Sequence, residues 1–120
     1  MTVQFTTPLP GLAPHTDYTL NPVADAEHLF TLQALADENV RLFLVDPSVV
    51  PGYTPALTDE QVAKLGLERA EDAHVLVVAR MTEEGIGVNL LAPVVVNGAT
   101  GVAEQVILDG QGYPALAHLA

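Results

Sequence analysis

The sequence predicts an all-β fold, a small antiparallel β-barrel or sandwich-like domain of about eight strands with one short helix. Three observations support this prediction: short apolar runs recur along the chain, turn-forming residues separate them, and the connections between runs are short. Short connections favour antiparallel pairing, because parallel neighbours need a crossover of about a dozen residues or more. The chain has 120 residues and no linker-like stretch, so residues 1–120 are expected to form a single domain.

Alternation of apolar and polar residues marks the early strands, as expected where one face is buried and the other solvated. Val3 and Phe5 define the inward face of residues 2–7, and residues 18–21 and 29–34 repeat the pattern. Later runs are continuously apolar and rich in β-branched residues, which predicts strands covered on both sides. The continuous runs are 42–45, 75–79 and 94–96, and residues 87–91 and 102–108 complete the strand candidates.

One helix is predicted over residues 59–65. Thr58 is placed to cap its N-terminus, and Gln61 three residues later completes a capping box. Gly66 stands where a residue with left-handed backbone conformation commonly ends a helix. The predicted helix therefore has two turns, and packing against the rest of the domain must hold it.

Two asparagines and a proline interrupt the last strand candidates. Asn97 and the glycine after it tolerate positive φ, which predicts a hairpin with a four-residue loop. Asn89 is disfavoured within a strand, so its amide is expected to hydrogen-bond across a bulge or kink. Pro93, which follows Ala92, lacks a backbone donor and predicts either a break between two strands or a sheet edge.

The charge balance narrows the classes of partner. Fifteen Asp and Glu stand against four Lys and Arg, a net charge of −11. Four cations cannot neutralise a track of phosphates, so direct binding to nucleic acid or to an anionic membrane is not expected. No run approaches the roughly 18–20 apolar residues of a membrane-spanning helix. Cysteine is absent, and the N-terminus lacks the pattern of a secretory signal, so the expected location is the cytoplasm.

Residues suited to catalysis are scarce. Ser48 is the only serine and does not lie in a nucleophile elbow, and the histidines show no metal-ligand spacing. No cofactor or metal is therefore expected. A small hydrolase or metal-dependent enzyme on a β scaffold is the alternative, and it would require folding to gather His15, His28 or His74 with carboxylates. A plain acidic carrier or scaffold subunit is a third possibility.

Several segments of the chain, taken together and in order, carry a family pattern. Asp46 and Pro47 follow an apolar strand and precede Tyr53, and the other pieces of the pattern are residues 8–12, 30–35, 65–67, 89–97 and 105–108 and Tyr113. In this order the segments resemble the FliW family of flagellar assembly factors. The departures from that family are Val49 and Val50 in place of aromatic residues, and Leu116 in place of a basic residue, which bear on the details of a partner surface.

The resemblance implies a non-catalytic regulatory protein with a β-barrel-like fold. Members of the family bind the RNA-binding translational regulator CsrA and relieve its repression of flagellin mRNA, while flagellin competes for the factor. The expected partners of this chain are therefore a CsrA-type regulator and flagellin. Partner contacts are expected in the loop of Asp46, Pro47 and Tyr53. They are also expected at a set of acids that would attract a basic partner, namely Asp59, Glu60, Glu68, Glu71 and Asp72.

Overall fold

A computed structural model describes residues 1–119, which contain nine β-strands and one α-helix. The predicted all-β class with one short helix is confirmed. Short 3₁₀ turns at Pro47–Val49 and Ala70–Asp72 were not predicted. The elements are β1 (Thr2–Phe5), β2 (Asp17–Pro22), β3 (Leu29–Ala34), β4 (Arg41–Val45), α1 (Asp59–Leu65), β5 (Ala73–Thr82), β6 (Gly85–Val88), β7 (Val94–Asn97), β8 (Val102–Gln105) and β9 (Ala117–His118). The described helix is too short to cross a membrane.

Seven of these strands close a barrel. They follow the order β1, β2, β3, β4, β5, β7, β8, and β8 returns to β1. The predicted antiparallel pairing is found at every seam of the barrel except this closing one, where Gln4 and Phe5 pair in parallel with Val102 and Ala103. The rule behind the prediction concerns strands joined by short connections, and most of the chain separates β1 from β8. Strands β6 and β9 extend the sheet beside β5, outside the barrel.

Two apolar clusters stabilise the domain. The inner cluster draws buried residues from all seven barrel strands and fills the barrel, with Tyr18 packed edge-on against Phe5 at 5.3 Å between ring centroids. The outer cluster lies on the opposite face of β4, β5 and β7, beneath α1 and the segments on either side of it. Val94, Val95 and Val96 are all buried, as predicted for a strand covered on both faces. Phe43 differs from the prediction for residues 42–45, because its side chain is 43% exposed.

The predicted hairpin and helix ends are confirmed. Strands β7 and β8 are joined by the four residues 98–101. The Thr58 hydroxyl accepts a hydrogen bond from Gln61 N at 3.1 Å, and Gln61 Oε1 accepts one from Thr58 N at 2.9 Å. Gly66 ends the helix with φ of 65°.

Two predicted strands end early. The candidate at 87–91 stops at Val88, because Asn89 organises the next residues as a turn. The candidate at 102–108 stops at Gln105. Its continuation still makes sheet-like hydrogen bonds, since Val106 N donates to Pro93 O at 2.9 Å and Leu108 N donates to Leu91 O at 2.8 Å.

Candidate partner-binding surface

Asn97 joins α1 to the β7–β8 hairpin. Its side chain is 2% exposed, and Nδ2 donates to the carbonyls of Leu65 at 3.0 Å and Gly66 at 3.3 Å. Oδ1 accepts a hydrogen bond from Ala99 N at 2.9 Å. The last carbonyls of a helix have no partner within the helix, so this amide supplies donors that the fold needs there. Asn97 thereby fixes where the helix sits on the barrel.

Asn89 builds the turn that leads into β7. Its Oδ1 accepts hydrogen bonds from Leu91 N at 3.1 Å and Ala92 N at 3.0 Å. Of the two predicted alternatives, a bulge or a kink, these bonds form a kink, because they close a local turn after β6. The Ala92 carbonyl accepts from Gln105 Nε2 at 3.0 Å, which ties the turn to β8. Buried Pro93 separates the turn from β7, as predicted for a break between strands.

The loop after β4 is held by Asp46. Its Oδ1 accepts a hydrogen bond from Ser48 N at 2.9 Å and so caps the 3₁₀ turn that Pro47 begins. Asp46 N donates to His28 O at 2.8 Å, which attaches the loop to the β2–β3 connection. Asp46 and Pro47 are half-buried, so both have a structural role and both keep some surface.

Tyr53 supports the same loop from beneath. Its ring packs edge-on against Tyr113, with centroids 4.7 Å apart, and its hydroxyl donates to Leu90 O at 2.8 Å. Burial, with a smaller contribution from the charge of Tyr113, raises the pKa of Tyr53 to about 12. Hydrogen bonding to Thr54 lowers the pKa of Tyr113, whose hydroxyl accepts from Thr54 N at 2.9 Å. A partner at this loop would meet Thr54 and exposed Gly52 more readily than Tyr53.

Gln111 has a structural role that the sequence does not predict. Its amide makes two hydrogen bonds to the backbone of Ala56, with Oε1 accepting from N at 2.9 Å and Nε2 donating to O at 2.8 Å. These bonds hold the segment that precedes α1 against the C-terminal part of the chain. The sequence offers no local signal for this role, because the two residues are 55 positions apart.

The five predicted acids lie along one stretch, residues 59–72, which we call the acidic stretch. Four of them are exposed and Asp72 is half-buried. The two bases of the stretch lie near carboxylates of the chain itself. Lys64 Nζ is 3.4 Å from Glu104 Oε1, and Arg69 is 4.0 Å from Glu71. The acidic stretch therefore presents a net negative surface around α1.

A groove runs between α1 and the segment that follows β8. Glu60, Lys64, Glu104 and Asp109 are among its lining residues. Glu104 Oε2 is buried and has no hydrogen-bond partner among residues 1–119. Only one of these four side chains is basic, so the groove continues the negative surface of the acidic stretch onto β8.

The histidines required by the enzymatic alternative do not converge. Ser48 Oγ lies 3.3 Å from His28 Nδ1, and Glu27 lies 4.0 Å from His28 Nε2. The Glu27 side chain is 95% exposed, so water screens it and nothing fixes its orientation toward the imidazole. Across residues 1–119, no group of three or more His, Cys, Asp or Glu side chains is placed to hold a metal ion.

The chain is similar to known proteins over almost its whole length. The family model described as FliW protein matches residues 1–119. The chain belongs to the FliW family. Relatives named flagellar assembly factor FliW include that of Clostridium kluyveri, which is 30% identical over 115 residues covering 93% of this chain and 79% of the relative. The FliW of Bacillus subtilis (strain 168) is 26% identical over 114 residues, covering 92% of this chain and 80% of the relative.

A solved structure of the family has the same fold. The crystal structure of the flagellar assembly factor FliW superposes with a TM-score of 0.89 and 23% sequence identity. The match covers 98% of this chain and 84% of the other. The similarity to FliW therefore includes both the sequence and the fold of the whole barrel.

Proposed function

We propose that this chain is a non-catalytic regulator of flagellum assembly that binds a CsrA-type translational regulator and flagellin. In the proposed cycle, the chain binds the regulator and thereby dissociates it from flagellin mRNA, so that flagellin is translated. Flagellin that accumulates then binds the chain, and the regulator is released. The proposed place of action is the cytoplasm, where the mRNA is translated. Membership of the FliW family supports the link to flagellum assembly.

The observation that carries the proposal is the acidic stretch. A protein that binds RNA needs a basic surface. An acidic protein is attracted to that basic surface and repels the phosphates of RNA. The acidic stretch has five acids against two bases, and both bases lie near carboxylates of the chain. We expect the first contact with the regulator to be electrostatic and to involve this surface.

Reversal of three acids tests that contact. The variant Glu68→Lys, Glu71→Lys and Asp72→Lys is expected to weaken binding of the purified CsrA-type regulator about tenfold at low salt, mainly through a slower association rate. The association rate of the unmodified chain should fall as salt rises, because the Debye length shrinks from about 30 Å at 0.01 M to about 8 Å at 0.15 M. Calorimetry gives the affinity, and stopped-flow mixing gives the rate.

A matched control separates the acidic stretch from overall charge. Glu27→Lys, Glu38→Lys and Glu83→Lys change the net charge equally at exposed positions in three other connections. The control is expected to lower affinity much less than the first variant. Equal losses in the two variants, with unfolding curves unchanged, would show that the acidic stretch has no special role. An association rate that does not respond to salt would contradict the electrostatic contact itself.

A further inference from the structure

An apolar groove remains uncovered on the outer face of β4, β5 and β6. Phe43 pairs with Ala79 and Met81 pairs with Ile86, so neighbouring strands bring these side chains together. Ala79 belongs to the outer apolar cluster, whereas Phe43, Met81 and Ile86 are 43%, 75% and 42% exposed. The space between them has a volume of about 230 Å³. The outer cluster is covered by α1 and its flanking segments over most of its area. At the groove it is uncovered, and its apolar surface is exposed to solvent.

Positive charge borders this groove. Two of the four bases, Lys64 and Arg69, lie near carboxylates of the chain itself. Arg41 and Arg80 do not lie within 4.0 Å of any carboxylate in residues 1–119. The Arg41 guanidinium is 5.8 Å from the centroid of the Phe43 ring, at the edge of the groove. Arg80 lies between Ala79 and Met81 on β5, so its side chain points to the opposite face of the strand. On a chain of net charge −11, an arginine with no carboxylate partner makes the edge of the groove unlike the acidic stretch.

A second copy of the chain does not suit this surface. A two-fold contact centred on the groove would bring Arg41 of both copies together, and each copy carries a net charge of −11. A stable interface also buries about 800 Å² on each partner, far more than three partly exposed side chains provide. A short amphipathic segment needs only a few apolar anchors and a groove to receive them. Charged residues beside those anchors would then decide which segment fits.

We propose that this groove binds an amphipathic segment of a partner protein. Its apolar side chains would enter among Phe43, Met81 and Ile86, and a carboxylate beside them would lie against Arg41. The inference rests on the proposed function, since it gives the two partners of that function separate surfaces. The acidic stretch receives the basic regulator, and the groove receives flagellin.

Methyl NMR tests the groove directly, because Met81 is one of only two methionines in the chain. The chain carrying ¹³C-methyl methionine is titrated with purified flagellin and, separately, with the purified regulator. Flagellin is expected to shift or broaden the Met81 methyl signal, which the variant Met81→Leu assigns, and the regulator is expected to leave it unchanged. Met81→Glu should lower flagellin affinity at least tenfold. Ile107→Glu, at a side chain 57% exposed outside the groove, should not.

The outcomes separate this inference from the proposed function. If flagellin binds but the Met81 signal and the Met81→Glu affinity do not change, the groove assignment is wrong and the proposed function stands. If neither flagellin nor the regulator binds, the proposed function fails. The groove is then tested with two synthetic amphipathic peptides that differ only in flanking Glu or Lys. The Glu peptide must move the Met81 signal at a tenfold lower concentration, and failure to do so overturns the inference.

Discussion

Replacing Gly101 with alanine is expected to lower the free energy of unfolding by about 3 kcal/mol, from a strained backbone and a lost strand contact. Gly101 has φ of +83°, and a Cβ there would lie 2.8 Å from the Thr2 carbonyl oxygen. Gln4 N also donates to the Gly101 carbonyl at 2.8 Å, beside the parallel pairing of β1 with β8. The added methyl group must push β1 away at the one seam where the barrel closes in parallel.

Gly110 provides the matched control. It has φ of +76°, but a Cβ at that position meets no atom within 4 Å. Gly110→Ala should therefore cost only the left-handed backbone penalty, about 1 kcal/mol. Urea unfolding followed by far-ultraviolet circular dichroism measures both variants. Equal losses of unfolding free energy in the two variants would mean that the close approach of β1 to Gly101 adds nothing to the cost of the substitution. That result would contradict the proposed packing at the closing seam.

Replacing Asn97 with alanine is expected to destabilise the domain by about 3 kcal/mol, because two carbonyls at the end of the helix, one of them buried, lose their hydrogen-bond donor. The affected carbonyls are those of Leu65 and Gly66, at the C-terminus of α1. The turn also loses the acceptor for Ala99 N. Because the helix carries part of the acidic stretch, regulator binding should weaken in this variant as well. Asn39→Ala is the control, because Asn39 is exposed. Its free energy of unfolding should differ from that of the unmodified chain by no more than about 0.5 kcal/mol.

The nearly isosteric variant Asn97→Asp gives a sharper test of the same contact. It keeps an acceptor for Ala99 but places a carboxylate against two carbonyl oxygens. Repulsion and burial would raise the pKa of that carboxyl in the folded state, so the protonated form is favoured there. At about pH 7 the Asn97→Asp variant should therefore be less stable than Asn97→Ala. This difference in the free energy of unfolding should shrink as pH falls toward about 4. A pH-independent difference between the two variants would contradict the proposed geometry.

Local signals in the sequence predicted the local structure well. The capping box of Thr58 and Gln61, the helix end at Gly66 and the four-residue hairpin loop depend on residues close in sequence, and all three are found. The apolar residues after Val88 predict a continued strand, although Asn89 is disfavoured within one. The amide of Asn89 bonds two backbone N–H groups nearby, and this local geometry prevails over the strand pattern.

Features that depend on long-range pairing could not be predicted. The parallel seam of β1 with β8 and the pairing of β4 with β5 join distant parts of the chain. The acidic stretch could be predicted because its five acids lie within one short segment, residues 59–72. The apolar groove could not, since Phe43 and Ile86 become neighbours of Met81 only through the register of three strands. The burial of Tyr53 likewise depends on Leu90 and Tyr113.

Release of RNA is the measurement that tests the proposed function most directly. A fluorescently labelled flagellin mRNA leader is bound to the purified CsrA-type regulator, and this chain is added while anisotropy is recorded. The proposed function predicts that anisotropy falls to the value of free RNA and rises again when purified flagellin is added. Anisotropy that stays at the bound value, with the chain in large excess over the regulator, would contradict the proposed function.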